Sequence, residues 1–388
     1  MLPVRCGMQI LQEENLSKHN KARVCVYSQR QLQQLLSACG DYEFEDLICE
    51  FDDANILVAQ PSHGIKAIQK ISNQLARRTS ISCINPGVKK QKIDRDYDLF
   101  FAKFLLKKDL LSLNALKRWK ERCKVAICWL AEAWEDDVKK WKGYAKILSQ
   151  FDYVMLNCAA SVQPLQNLIK RPCIYIPPGV DAIKFCPYPD PPERSVDIYS
   201  IGRKSKVTHK ILLEMAEQRK IFYIYDTMLG TYTAWPQEHR SLIINIANRS
   251  RFFLVNPAKI DRRFETGGQD ELGFRYFEGA ASGAVMIGEH PQTKVFEEQF
   301  GWTDSVIRVP FDTPNIADIL AELYSQPQRM AQARKRNVVE SLLRHDWAYR
   351  WSTILKIAGL EPSAALTNRL DHLKKLTNNI EKNNSVSN

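Results

Sequence analysis

With 388 residues the chain can form two domains with full cores. A hydrophobic content of 45% and a mean hydropathy of −0.34 mark an ordinary globular protein. No apolar run approaches the roughly 20 residues a bilayer span requires, and the start, MLPVRCGMQILQEEN, lacks an apolar core long enough for a signal peptide. The net charge of +11 is uneven: residues 61–146 hold 20 Lys and Arg against 9 Asp and Glu, so that block carries the whole excess. Ten cysteines show no Cys-x-x-Cys and no regular spacing. Most sit in apolar runs, where a free thiol acts as a small hydrophobe. A reduced cytoplasm fits this usage, and a zinc site does not.

In chain order, residues 1–20 are mixed. ARVCVYS (22–28) reads as a strand and QRQLQQLLSAC (29–39) as a helix. DLICEFDDANILVAQ (46–60) reads as one or two strands, then PSHGIKAIQKISNQLARR (61–78) as a loop and an amphipathic helix. Residues 80–85 and 97–103 are further strand candidates, divided by a Pro86-Gly87 turn. Strand 124–130 is followed by AEAWEDD, helix 137–149, strand 151–157, a short helix and strand 172–177. The acids Asp52, Asp53, Glu135, Asp136 and Asp137 read as solvated loop residues. Within the basic block, FFAKFLLKKDLLSLNALKRWKERCK (100–124) interleaves Phe, Leu and Trp with Lys and Arg. That pattern suits a patch on anionic lipid, a groove for nucleic acid or a solvated helix face; no nucleic-acid partner is expected.

PYPDPPERS (187–195) carries four prolines and reads as a stiff linker. Beyond it the pattern starts afresh with strands at 195–202, 220–226, 251–257, 284–288 and 306–310 and helices between them. Strands alternating with helical patterns argue for parallel sheets covered on both faces. Helix 315–326, a basic amphipathic helix and RHDWAYRWSTIL (344–355) follow. Leucines at 366, 370, 373 and 376 form a helical stripe, and EKNNSVSN (381–388) reads as a disordered tail.

The most informative stretch is GGQDELGFRYFEGAASGAVMIGE, 267–289. A glycine-bearing loop that opens a helix presents free N–H groups and the positive end of the helix dipole, which suits a phosphate. Arg275, a cation in that first turn, fits best with an anion docked beside it. Glu278 is an acid in an otherwise apolar, small-residue helix, where a ribose diol is one partner able to satisfy it. The plainer alternative is that Gly279 to Gly283 let a helix pack tightly on a sheet, with Arg275 and Glu278 on a solvated face.

In its order of residues this stretch resembles the nucleotide-sugar loop of retaining glycosyltransferases of the GT-B fold, family 4 type. An acid, seven residues, then Glu mark that loop, and Asp270 and Glu278 hold the spacing. The first acid is Asp where the family usually has Glu, and Arg275 stands near a common proline position. IPPGVDAIKFCP (176–187) is similar to the turn that closes the family's first domain, through Pro178, Gly179, Val180, Asp181, Phe185 and Pro187. Gly202 and Arg203 stand where the family places a Gly-Arg pair, with Lys206 somewhat closer than its usual lysine. His345-Asp346-Trp347 resembles the helix that crosses back onto the first domain.

The resemblance implies an α/β GT-B architecture, two Rossmann-like domains facing each other across a cleft, with a C-terminal helix crossing back. The bounds it suggests are 1–186, a linker at 187–195, a nucleotide-sugar domain at 196–340 and returning helices at 341–380. Arg203 and Lys206 are expected to neutralise a diphosphate, with Gly202 at the turn and the N–H groups near Gly273 and Phe274 adding the helix contribution. Glu278 is expected to accept from ribose and Asp270 from the donor sugar. Glu132 after strand 124–130 and His63 in the loop PSHG are the acceptor-side candidates. The expected donor is a nucleotide-diphosphate sugar, with no cofactor and no divalent metal. The expected acceptor is a carbohydrate or lipid-linked precursor, and the expected place is the cytoplasm, either free or peripheral on the inner face of the membrane through block 61–146. A nucleotide-sugar epimerase or a phosphorylase of the same fold is the enzymatic alternative. A non-catalytic relic binding membrane or nucleic acid is the non-enzymatic one.

Overall fold

A computed structural model describes residues 22–62, 64–79, 81–227 and 232–382. His63 and residues 383–388 lie outside the described residues. The first lobe holds β1 (Val24–Ser28), α1 (Cys39–Phe51), β2 (Ala54–Val58), α2 (Ile65–Thr79), β3 (Tyr97–Phe104), β4 (Cys123–Leu130), β5 (Tyr153–Leu156) and β6 (Cys173–Tyr175). Its main sheet has six strands, all parallel, in the order β2-β1-β3-β4-β5-β6, and residues 91–92 and 116–117 form a separate two-stranded sheet. The second lobe holds β7 (Val196–Ser200), α3 (Lys206–Glu217), β8 (Tyr223–Tyr225), α4 (Pro236–Asn248), β9 (Ser250–Val255), α5 (Phe274–Ala281), β10 (Val285–Gly288) and β11 (Ile307–Arg308). These strands are also parallel, in the order β8-β7-β9-β10-β11. The chain closes with α6 (Pro327–Arg344), α7 (Trp347–Ala358) and α8 (Ala364–Lys382).

The central strands form where the sequence is a near-continuous apolar run, as parallel strands buried on both faces require. LFFAKF and VAICWL pair in register, Leu99 with Val125 through Phe104 with Leu130. Within 100–124, Phe100, Phe101, Phe104, Leu110, Leu111, Leu113, Leu116 and Trp119 are all buried, so that stretch offers no apolar face to a bilayer. Its period is that of a strand and a 3-10 helix (Lys107–Ala115), not of an amphipathic helix. Even Lys103 is buried, ion-paired to Asp41 at 2.8 Å with its ammonium 3.8 Å from the Trp129 ring centre.

Several local expectations change. Residues 29–35 form a turn and loop, and the helix is instead α1, which includes the 46–51 stretch read as strand. Residues 81–85 form no strand; there the Asn85 side chain accepts from the N–H of Gly87 and Val88 and pins the turn. Helix 137–149 is split into Glu135–Val138 and Lys142–Leu148, because the buried Trp141 ring turns inward between the pieces. Asp52 is no solvated acid: it is buried, bonds Arg23 at 2.7 Å and accepts from the Trp351 indole N–H at 3.1 Å. Glu381 and Lys382 belong to α8.

The return to the first lobe is made at a buried joint. α6 runs through residue 340 to Arg344, so the crossing falls at His345-Asp346. Val180 and Asp346 pair as a parallel bridge, and Asp346 caps α7 through the Ala348 N–H while accepting from Ala182 N and Arg369. Trp347 then stacks on Phe44 of α1, ring centres 4.6 Å apart. Gly179 lies under that indole: a Cβ there would sit 2.6 Å from the ring.

Candidate active site in the cleft between the lobes

Between the lobes lies a cavity of about 350 Å³. Glu132 and Gly40 come to it from the first lobe, and Gly202, Arg203, Lys259, Gly273, Phe274, Arg275 and Glu278 from the second. The C-terminal ends of β7 and β9 and the start of α5 meet there, the position where open α/β sheets bind ligands. Gly202, in the turn just beyond β7, has φ +91°, a left-handed conformation that favours glycine, and its N–H donates to the Asp226 carboxylate at 3.1 Å. Arg203 follows it into the cleft, its guanidinium 2.7 Å from Asp261 and about one-third exposed.

Lys206 does not reach this cavity. Ser205 caps α3 by accepting from Val207 and Thr208 N–H at 3.1 Å, which leaves Lys206 exposed as the first helical residue. The neighbouring cation is Lys204, whose ammonium lies 2.6 Å from the Asp226 carbonyl and 2.5 Å from its carboxylate.

α5 opens at Gly273, which has no capping side chain, so no cap takes the N–H groups of the first turn. Gly40 of α1 packs against this start: a Cβ there would sit 2.9 Å from the Phe274 ring. Arg275 is ion-paired to Glu278 on the next turn, and Glu278 is 1% exposed. Glu278 also pairs with Arg240 of α4, which in turn grips Glu43 of α1 through Nε at 2.8 Å and Nη2 at 3.1 Å. Burial works against the charge of Glu278, but Arg275 and Arg240 outweigh it and hold its carboxyl below the usual range. A buried chain of alternating charge therefore runs Glu43–Arg240–Glu278–Arg275 from one lobe into the floor of the cleft.

Asp270 is turned away from this cavity. It pairs with Arg263 and lines a separate pocket with His290 and Arg308. Of the two adjacent acids, the one that lines the cleft is Glu271, buried, bonded by the Gln269 amide and the Ala159 N–H and pushed up to about 7 by burial. Spacing alone pointed to Asp270; only the adjacent acidic pair hinted at Glu271. Arg240 was missed as well, since nothing in EHRSLIINIANRS separates a buried arginine from a solvated one. Glu132 stands across the cleft from Lys259, 2.9 Å away, so the first-lobe candidate is tied to the second lobe by an ion pair.

The raised carboxyl of Glu271 has a measurable consequence. Its folded value near 7 exceeds that of an unfolded glutamate, so the folded state holds the extra proton between about pH 4.5 and 7 and stability falls as pH rises through that window. Glu271→Gln removes this term, with an upper bound of about 3 kcal/mol at one unit per 1.4 kcal/mol. Urea unfolding at pH 5 and pH 8 should show wild type losing more than the variant over that interval; parallel losses would place Glu271 in a solvated setting.

Residues 204–356 match the family model described as glycosyl transferase-like. A comparison with curated proteins gives no match. Among solved structures, the chain is similar to an α,α-trehalose-phosphate synthase (UDP-forming) from Burkholderia vietnamiensis, with a TM-score of 0.51 and 12% identity over 87% of this chain and 100% of that one. It is similar to a glycosyltransferase from Rickettsia africae ESF-5, with a TM-score of 0.50 and 12% identity over 87% and 98%. It is also similar to an alpha-glucosyltransferase solved with UDP and a 13-mer DNA containing a central A:G mismatch, with a TM-score of 0.51 and 11% identity over 87% and 100%. The chain thus has the GT-B fold, and its residues 204–356 are similar to a glycosyl transferase-like family.

Proposed function

We propose that the protein moves a sugar from a nucleoside-diphosphate sugar to a carbohydrate or lipid-linked acceptor, with retention at the anomeric carbon and without a divalent metal. One observation carries this reading: the cleft brings Arg203 at a strand end and the uncapped mouth of α5 to the same cavity, above the buried Glu278. In such a transfer the bond from the anomeric carbon to the diphosphate oxygen breaks, and a bond from that carbon to an acceptor oxygen forms. The acceptor proton goes to the departing phosphate. The main demand is to stabilise the negative charge that grows on the diphosphate, and fixed cations and helix N–H groups meet it without reorganising. Arg203 and the N–H groups near Phe274 take that role. Glu278, charged and fixed, keeps Arg275 at the cleft wall and stands ready to accept from ribose hydroxyls. Cells with a reduced interior suit the chain, whose nine described cysteines are all free thiols.

Thermal stabilisation by a panel of nucleoside diphosphates tests the reading. UDP is the first probe, since two of the similar proteins are named with it. A rise in Tm with UDP or another diphosphate, and release of that nucleotide from its sugar, are expected; no shift with any of them would remove the donor site. The association of block 61–146 with membrane rests on α2 and the residues after it, where Ile68, Ile71 and Ile81 are 37%, 58% and 45% exposed beside the exposed Lys70, Arg77 and Arg78. Co-sedimentation with phosphatidylserine vesicles at low salt that is lost at high salt is the expected result; no binding at low salt dismisses it.

A further inference from the structure

A second, larger cavity of about 660 Å³ lies in the first lobe, beside the cleft. It opens at the C-terminal side of the sheet. Gln29 directly follows β1, Pro61 lies just beyond β2, and Asp109 and Ser112 sit on the 3-10 helix after β3. Six of its sixteen lining residues carry side-chain amides, more than any other kind. Gln29 and Gln33 are buried: Gln29 donates to the Ser112 hydroxyl at 3.0 Å, and Gln33 donates to both oxygens of Asp109 at 2.9 and 3.0 Å. Gln69 and Asn73 come from successive turns of α2, and the exposed Gln31 and Gln34 stand at the rim. Tyr232 arrives from the second lobe, 72% exposed, held beside the cavity by a bridge to Leu35 and by the Thr233 N–H to Gln34 O bond at 2.8 Å.

We infer that this cavity binds the acceptor, and that the acceptor presents a hydroxyl-rich glycan without positive charge. A carboxamide offers a donor and an acceptor side by side, which matches the paired donor and acceptor character of neighbouring sugar hydroxyls. A phosphate would call for converging cations and a lipid chain for a continuous apolar wall; here two lysines and the apolar Leu32, Pro61, Ile65, Pro86 and Leu111 alternate with six side-chain amides. An exposed aromatic ring at the mouth gives the C–H face of a sugar a flat apolar surface while its hydroxyls turn to the amides. Lys70 and Lys108 outnumber the one acid, Asp109, on the lining, so an amino sugar is disfavoured. Gln29 and residues 31–34 line this cavity, and Leu36, Ser37 and Gly40, the next few residues, line the cleft cavity. A glycan seated among the amides therefore lies next to the place proposed for the donor. Its role as acceptor rests on the transferase reading, whereas glycan binding does not.

The test is an array of immobilised neutral oligosaccharides (malto-, cello- and galacto-oligomers), oligogalacturonates and chitosan oligomers. It is probed with the full chain and with Gln69→Leu and Tyr232→Ala, while the Tm shift with UDP is followed in parallel. Both substitutions are outside the cores and outside the cleft. Retention on neutral or acidic glycans but not on chitosan is expected, with about tenfold weaker retention in each variant and an unchanged UDP shift. Retention on no glycan, preference for chitosan, or wild-type retention by both variants overturns the inference. Glycan retention without a UDP shift upholds the cavity and defeats the transferase reading instead.

Discussion

Arg240→Ala lowers folding stability by about 3–5 kcal/mol, the largest single effect expected in this protein. Arg240 is 6% exposed and neutralises two buried carboxylates from different lobes, Glu43 and Glu278. Glu43 also accepts from the Asp181 N–H at 3.0 Å and the Trp347 indole at 2.9 Å, so the same acid pins the first-lobe turn and the returning helix. Burial alone would depress the arginine's pKa, but the two carboxylates more than reverse that and raise it. Removing the guanidinium leaves both acids in a dry interior, with Arg275 still attending only Glu278. The pH dependence follows with a definite sign. In wild type Glu278 is held below its unfolded value, so its stabilising share is present at neutral pH and is lost as pH falls through the carboxylate range. The gap between wild type and Arg240→Ala is therefore widest near pH 7.5 and narrows towards pH 4. Adding Glu43→Gln to the variant should recover part of the loss, a non-additivity typical of groups in one network. Chemical unfolding of the four proteins of this cycle decides it: a loss under about 1 kcal/mol, or strict additivity, means that the chain of charge carries nothing between the lobes.

How much of this was legible in the sequence depends on where each residue found its partners. Strands such as AICWL could be read because a parallel strand covered on both faces must be apolar throughout, a property of the segment itself. α1 could not. CGDYEFEDLICEF buries Asp41, Glu43 and Glu45, and each is paid for by a cation far away in sequence, namely Lys103, Arg240 and Arg30. An apolar stripe counted residue by residue misses a helix whose buried face is acidic. The glutamines of QRQLQQLL read as good helix formers, yet two of them, Gln29 and Gln33, are buried as turn residues bonded to Ser112 and Asp109. In the cleft, order along the chain located Gly202, Arg203 and the start of α5, because a strand end, a turn and a helix mouth are consecutive. It could not tell which of two adjacent acids turns inward. Nor could it show that Ser205, by capping α3, points Lys206 outward.

Arg203→Ala lowers turnover of the nucleotide sugar by about 10²–10³-fold, the usual cost of deleting one preorganised group that meets developing charge. The fold should tolerate it. Arg203 is about one-third exposed and its ion pair with Asp261 is open to solvent, so the stability change stays within about 1 kcal/mol. The loss should appear mainly in kcat, since charge on the diphosphate grows as the glycosidic bond breaks, with a smaller rise in KM from weaker ground-state binding. Arg203→Lys restores the charge but not the two-pronged donor, and should recover only part of the rate. Lys206→Ala is the internal contrast. Exposed on the first turn of α3 and outside the cavity, Lys206 should leave kcat within about twofold, the range of a solvated charge away from the site. Released nucleotide measured for the three variants separates the alternatives. Should Lys206→Ala cripple turnover while Arg203→Ala does not, the diphosphate lies along α3 instead of between β7 and α5, and the cleft loses its claim to the donor.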